Sequence, residues 1–149
     1  MSAETVVPTA ETVVAPAGPR RTLVWLRVFA VLHSLCAIGQ PMFAGMYLDG
    51  DVDALTIHEI NGSAVAALGV AQLVASIVYV WGGHGRRWPM WSSLGLVLVE
   101  EVQSGLGYEG AVAIHIPLGV SFIAMQILLT VWLFRDSARV ARPPRERAS

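Results

Sequence analysis

The chain has 149 residues, 54% of them hydrophobic, with a mean hydropathy of +0.57 and a formal net charge of −1. The length allows one domain, and this much apolar content gathered into four long runs argues against an ordinary soluble protein. All ten basic residues are arginine; they lie where membrane topology explains them and carry no nucleic-acid motif, so no nucleic-acid partner is expected.

Residues 1–21 are rich in Ala, Thr, Val and Pro and read as a disordered cytoplasmic tail. Arg20-Arg21 ahead of an apolar run resembles a twin-arginine export signal. The run is too long for a signal core, lacks a small-x-small cleavage site and is followed by further spans, so a retained helix is expected. Apolar stretches follow over 22–47, 56–81, 88–108 and 112–134. Each is about 20 residues or longer, enough for a helix to cross a ~30 Å hydrocarbon core. The connection with Asp49, Asp51 and Asp53 begins like a calcium loop but lacks its later ligands, and reads as a solvated turn. Residues 82–87 and 109–111 make still tighter turns. Short connections force consecutive helices to be antiparallel neighbours, so the expected fold is all-α: an integral membrane, up-down-up-down four-helix bundle over 22–134. Residues 135–149 form a basic cytoplasmic tail, expected to be disordered and free to lie near anionic headgroups.

Charge sets the orientation. Arg20, Arg21 and Arg27, then Arg86 and Arg87, then Arg135, Arg139, Arg142, Arg145 and Arg147 mark one side, and the other two loops carry only Asp and Glu. The positive-inside rule places both termini and the middle loop in the cytoplasm. Trp25, Trp81, Trp88, Trp91 and Trp132 fall near those cytoplasmic ends, and Tyr47 and Tyr108 near the outer ones, as interfacial anchors do. Arginine without lysine points to a GC-rich bacterial genome, hence the inner (plasma) membrane. Cys36, the only cysteine, lies mid-span and reads as a small apolar residue.

Polar residues inside spans are costly unless paired. Counted from the outer helix ends, Gln40, His58, Asn61, Glu100, Glu101, Gln103 and His115 fall in one outer slab. At least one of Glu100 and Glu101 should face inward, with His58, His115 or Gln40 as partner. Gln72 and Gln126 lie deeper and read as helix–helix hydrogen-bond formers. His33, near mid-span, reads as a satisfied core histidine.

The most informative pattern is repeated. Ile57-His58 precedes Gly62, and Ile114-His115 precedes Gly119, near the outer starts of spans two and four. Two histidines on opposing helices are a common way to hold haem b, each giving one ring nitrogen to iron and the other N–H to a nearby acceptor. A glycine one turn away shares the ligand's face and would leave room for a flat macrocycle. On this reading His58 and His115 are the metal ligands, and Gly62, Gly119, Gln40, Glu101 and Gln103 line or tune the cofactor site.

The segment Glu101-Val-Gln-Ser-Gly-Leu-Gly107 followed by His115-Ile-Pro-Leu-Gly119 resembles a helix pair of heme A synthase. His58-Glu-Ile-Asn-Gly62 resembles the other histidine helix of such a four-helix half. The similarity covers about residues 35–134 and points to small bacterial four-helix proteins similar to one half of that enzyme. It implies axial haem ligation by His58 and His115 near the outer face, and a homodimer or larger membrane complex. No Arg or Lys in the outer half would neutralise haem propionates, and the acidic motif of the synthase is missing ahead of His58, which speaks against full synthase activity.

The expected function is b-type haem binding for electron transfer or for haem or quinone handling. One rival is a non-catalytic structural or accessory subunit. Another is an outer-face metal-binding module using His58, Glu59, Glu101 and His115. No phosphate-binding loop or nucleophile elbow is present, so the chain is not read as an enzyme on its own.

Overall fold

The computed structural model describes residue 18 and residues 20–142. Four helices follow in chain order: α1 (Arg20–Leu48), α2 (Asp53–Trp81), α3 (Trp88–Tyr108) and α4 (Val112–Leu133), then a 3-10 turn (Asp136–Ala138). The described residues contain no strand. The helices lie within a few residues of the apolar stretches, because the polar and glycine-rich segments that bound those stretches also stop the helices. Gly50 (φ 106°) and Gly110 (φ 70°) close the turns after α1 and α3 in the left-handed region, where a side chain would be strained.

α1 packs against α2 and α4, α2 against α3, and α3 against α4. Helices α1 and α3, and α2 and α4, therefore lie across diagonals and meet through long side chains. Three helices are long and apolar enough to cross a membrane by length and composition: α1 from Arg21, α2 and α4. Four such helices are expected from the apolar stretches, and α3 is not among the three. At 21 residues it spans about 31 Å at 1.5 Å per residue, so length is adequate. Its apolar character is diluted by Ser92, Ser93, Glu100, Glu101, Gln103 and Ser104.

The apolar core gathers toward the end that holds the start of α1, the end of α4 and the 82–87 turn, around Leu23, Leu26, Tyr79, Val80, Leu129 and Leu133. Trp88 meets Trp132 edge-on, with ring centres 4.4 Å apart. The outer faces of α1, α2 and α4 are largely apolar and exposed, Leu35, Val74 and Leu128 among them. The interior, by contrast, buries His33, Gln72, Ser76, Ser93, Glu100 and Gln126. Such a polar inside and apolar outside suits surroundings that do not compete for hydrogen bonds.

Residues 134–142 depart from the disordered tail expected there. Tyr79 Oη donates to Ala138 O (2.9 Å), Arg142 N to His84 O (2.8 Å) and Arg27 Nε to Leu133 O (2.8 Å). The Arg27 guanidinium also lies over the Phe134 ring, 4.9 Å from its centre. The basic composition of this stretch carries no hint of those docking groups, which are supplied by α1, α2 and the turn after α2. The expected tails at 1–17 and 143–149 lie outside the described residues.

Candidate functional site

The two histidines of the repeated pattern come together. His58 of α2 and His115 of α4 are half-buried, with ring centres 6.4 Å apart and planes inclined by 58°. Each is held by the helix that precedes it. His58 Nδ1 lies 3.1 Å from the Gln40 carbonyl oxygen, and His115 Nδ1 lies 2.9 Å from the Gln103 carbonyl oxygen. A carbonyl can only accept, so His115 Nδ1 donates to Gln103 O; His58 Nδ1 faces the Gln40 carbonyl at 3.1 Å and, with the Gln40 amide turned, its amide nitrogen at 2.8 Å. A backbone acceptor on one ring nitrogen, leaving the other free to bind, is the arrangement that orients metal-bound histidines.

The glutamine side chains answer in return. Gln103 Nε2 donates to His115 O at 2.8 Å. With the Gln40 amide turned so that its NH2 faces α2, it donates to His58 O at 3.2 Å, and Gln40 Oε1 accepts from Gly62 N at 2.7 Å. The pair α1–α2 thus repeats in α3–α4: glutamine carbonyl to imidazole, glutamine amide back to the histidine carbonyl. Prolines lie near both. Pro41 is inside α1 and Pro117 inside α4, and each lacks the N–H that a helix interior uses. Around Pro41, α2 donates into α1 carbonyls, through Asn61 Nδ2 to Cys36 O (2.8 Å) as well as His58 to Gln40 O.

The glycines serve a different purpose from the expected one. A Cβ at Gly62 would meet the end of the Gln40 amide at 3.0 Å, and one at Gly119 would meet Gln103 Nε2 at 2.6 Å. The space they leave is taken by the glutamine amides. The physical reason is direction: the face one turn beyond each histidine looks toward the preceding helix, which the turn keeps close. Gly107 plays a similar part for the His115 ring, whose Cε1 would lie 3.2 Å from an added Cβ.

Of the two adjacent carboxylates, Glu100 is buried, at 5% exposure, and Glu101 is exposed. Glu101, expected at the cofactor site, and Glu59, weighed as a metal ligand, both point to the outside. Glu100 does not reach His58, His115 or Gln40 by any contact in the structure; its Oε1 lies 2.7 Å from His33 Nε2. Counting depth from helix ends hides this pairing, because α1 has 29 residues and α3 has 21. Counting from the two matched glutamines reveals it. His33 is seven residues before Gln40 and Glu100 three before Gln103, an offset of about 6 Å at 1.5 Å per residue, which two side chains can span.

His33 is therefore part of a second polar layer, deeper than the histidine pair. His33 Nδ1 lies 3.2 Å from Gln72 Oε1. Gln72 and Gln126 exchange amide bonds across the α2–α4 diagonal at 3.1 and 2.8 Å. Gln126 Nε2 also donates to Ala30 O at 3.1 Å, and Ser34 Oγ meets Thr130 Oγ1 at 2.9 Å. The helix-joining role expected of Gln72 and Gln126 is what these bonds do.

Among the described residues no group of three or more His, Cys, Asp or Glu side chains could hold a metal ion. No family model, no curated protein and no solved structure matches this chain.

Proposed function

We propose that the chain is an integral membrane four-helix bundle that holds haem b between His58 and His115 and serves electron transfer or haem or quinone handling. The observation that carries this reading is the imidazole pair, each Nδ1 held against a glutamine backbone carbonyl and the ring centres 6.4 Å apart. Two imidazoles sharing one metal ion through bonds of about 2.0–2.1 Å would have their ring centres at roughly this separation. Rings turned by 58° are compatible with rotation about a shared axis. The pattern likeness to one half of heme A synthase points the same way.

Donor number favours haem over a bare ion. A structural divalent ion takes about four protein donors, and only two imidazoles meet here among the described residues. A porphyrin would bring most of its iron's donors itself, and His58 and His115 would hold it. When bound it would supply one-electron chemistry. The chain's own part is to orient both rings through Gln40 and Gln103. The apolar exterior and the arginine distribution support placement in a bacterial inner membrane with both termini cytoplasmic, α3 crossing with its buried carboxylate turned inward. The histidine pair then lies near the outer face.

The test is an absorption spectrum of the detergent-purified protein, oxidised and then reduced with dithionite. A sharp reduced b-type band is expected, lost in His58→Ala and in His115→Ala. A protein that stays colourless after expression with haem supplied overturns the reading and leaves an accessory subunit as its replacement.

A further inference from the structure

Below the histidine pair, hydrogen-bond orientation can be followed from one fixed acceptor. Ala30 O accepts from Gln126 Nε2 at 3.1 Å, which fixes the Gln126 amide and turns its Oε1 to Gln72 Nε2 at 3.1 Å. Gln72 Oε1 then accepts from Gln126 Nε2 at 2.8 Å and faces His33 Nδ1 at 3.2 Å. An acceptor there makes Nδ1 the protonated nitrogen of His33. On a neutral ring Nε2 is left as a lone pair, 2.7 Å from Glu100 Oε1.

A lone pair facing a carboxylate oxygen at that distance is repulsive, and burial keeps bulk solvent from softening it: His33 is 0% exposed and Glu100 5%. Beyond their 2.7 Å contact with each other, neither Glu100 oxygen nor His33 Nε2 has a hydrogen-bond partner among the described residues. The site has acceptors in excess and lacks a donor. Glu100 also lies directly against the α2 backbone, since a Cβ at Gly69 would collide with its carboxylate. Around the pair, α2 contributes Gly69 and Gln72, and α4 contributes Gln126 and Phe122, whose ring centre is 5.7 Å from that of His33. Besides His33, the ionisable group acting on Glu100 is Glu101, on the exposed face of α3.

We propose that His33 and Glu100 form a proton-binding site in the core of the helices. It takes up one proton, resident on the Glu100 carboxyl and shared with His33 Nε2. Uptake is acid–base only: hydronium gives up its proton and leaves as water, the pair passes from one negative charge to neutral, and no electron moves. The proton belongs on the carboxyl because two full charges in a dry core cost more than a neutral hydrogen-bonded pair. Entry is from the end that holds His58 and His115. Gln103 Oε1 lies one turn further along the same face of α3 and is likewise buried without a donor, so a proton-carrying water arriving there would meet acceptors at both steps. The site stands whether or not the upper histidine pair holds a metal.

Infrared difference spectroscopy of the full chain in lipid nanodiscs, between acid and alkaline pH and with no cofactor added, tests this. Expected is a carboxylic-acid C=O band that shifts in deuterium oxide, persists in Glu101→Gln and vanishes in Glu100→Gln. Absence of any acid band that depends on Glu100 overturns the proposal, as does a band that Glu101→Gln removes. Should Glu100→Gln not fold, His33→Asn serves instead. Loss of the imidazole acceptor should move the same band to higher frequency, and an unmoved band overturns the sharing with His33.

Discussion

A methyl group at position 119 would lie 2.6 Å from Gln103 Nε2, and one at position 62 would lie 3.0 Å from the end of the Gln40 amide. Both contacts are with the ends of flexible side chains, so each amide can move, but moving gives up a hydrogen bond: Gln103 to His115 O, or Gly62 N to Gln40 Oε1. A net hydrogen bond is worth about 0.5–1.5 kcal/mol, and overpacking adds to that. Gly119→Ala should therefore destabilise by about 1–2 kcal/mol and Gly62→Ala by less, read as loss of thermal midpoint in detergent. Equal effects would show that the glutamine contact is not what the glycines serve. The His-x3-Gly spacing was legible in the sequence; its purpose was not, because spacing along one helix does not say which neighbour fills the gap. The same limit applies to the adjacent carboxylates. Both were visible as costly residues in an apolar run, yet only the rotation of α3 selects Glu100 over Glu101 for the interior.

At the scale of elements, the boundaries of all four helices were readable from apolar runs and the turn residues between them. The segment after α4 was not. Its docking rests on Tyr79, buried at 0% exposure, whose hydroxyl donates to Ala138 O and accepts from Arg86 N at 3.4 Å. The ring fits because Gly85 has no side chain to meet it. Tyr79→Phe leaves the Ala138 carbonyl without its donor, a loss of about 1–3 kcal/mol for a buried group. Amide hydrogen exchange over 134–142 should then speed up while exchange in the middle of α1 and α4 stays unchanged. Unchanged protection over 134–142 would mean that Arg27 and the His84 carbonyl hold the segment without Tyr79. Composition alone could not announce this docking, since a tyrosine near a helix end reads equally well as an interfacial anchor.

For the whole molecule, the arginine distribution makes a prediction about orientation. In a Cys36→Ala background, Asp51→Cys should react with a membrane-impermeant maleimide on intact cells. Arg86→Cys should react only after the membrane is opened. The reverse pattern would invert the orientation, and equal labelling of both from outside would show that α2 does not cross. The sequence by itself determined the number and extent of the helices, the tight turns that make consecutive helices neighbours, and the pairing of two histidines at matched positions. These are properties of hydrophobic period, helix rise and turn length, which act locally along the chain. Tertiary structure alone decided the partners: His33 with Glu100 across one diagonal, Gln72 with Gln126 across the other, and Gln40 and Gln103 as the groups that fix the imidazoles. Partnership depends on the rotation and axial offset of each helix, and these are set by close packing among all four at once.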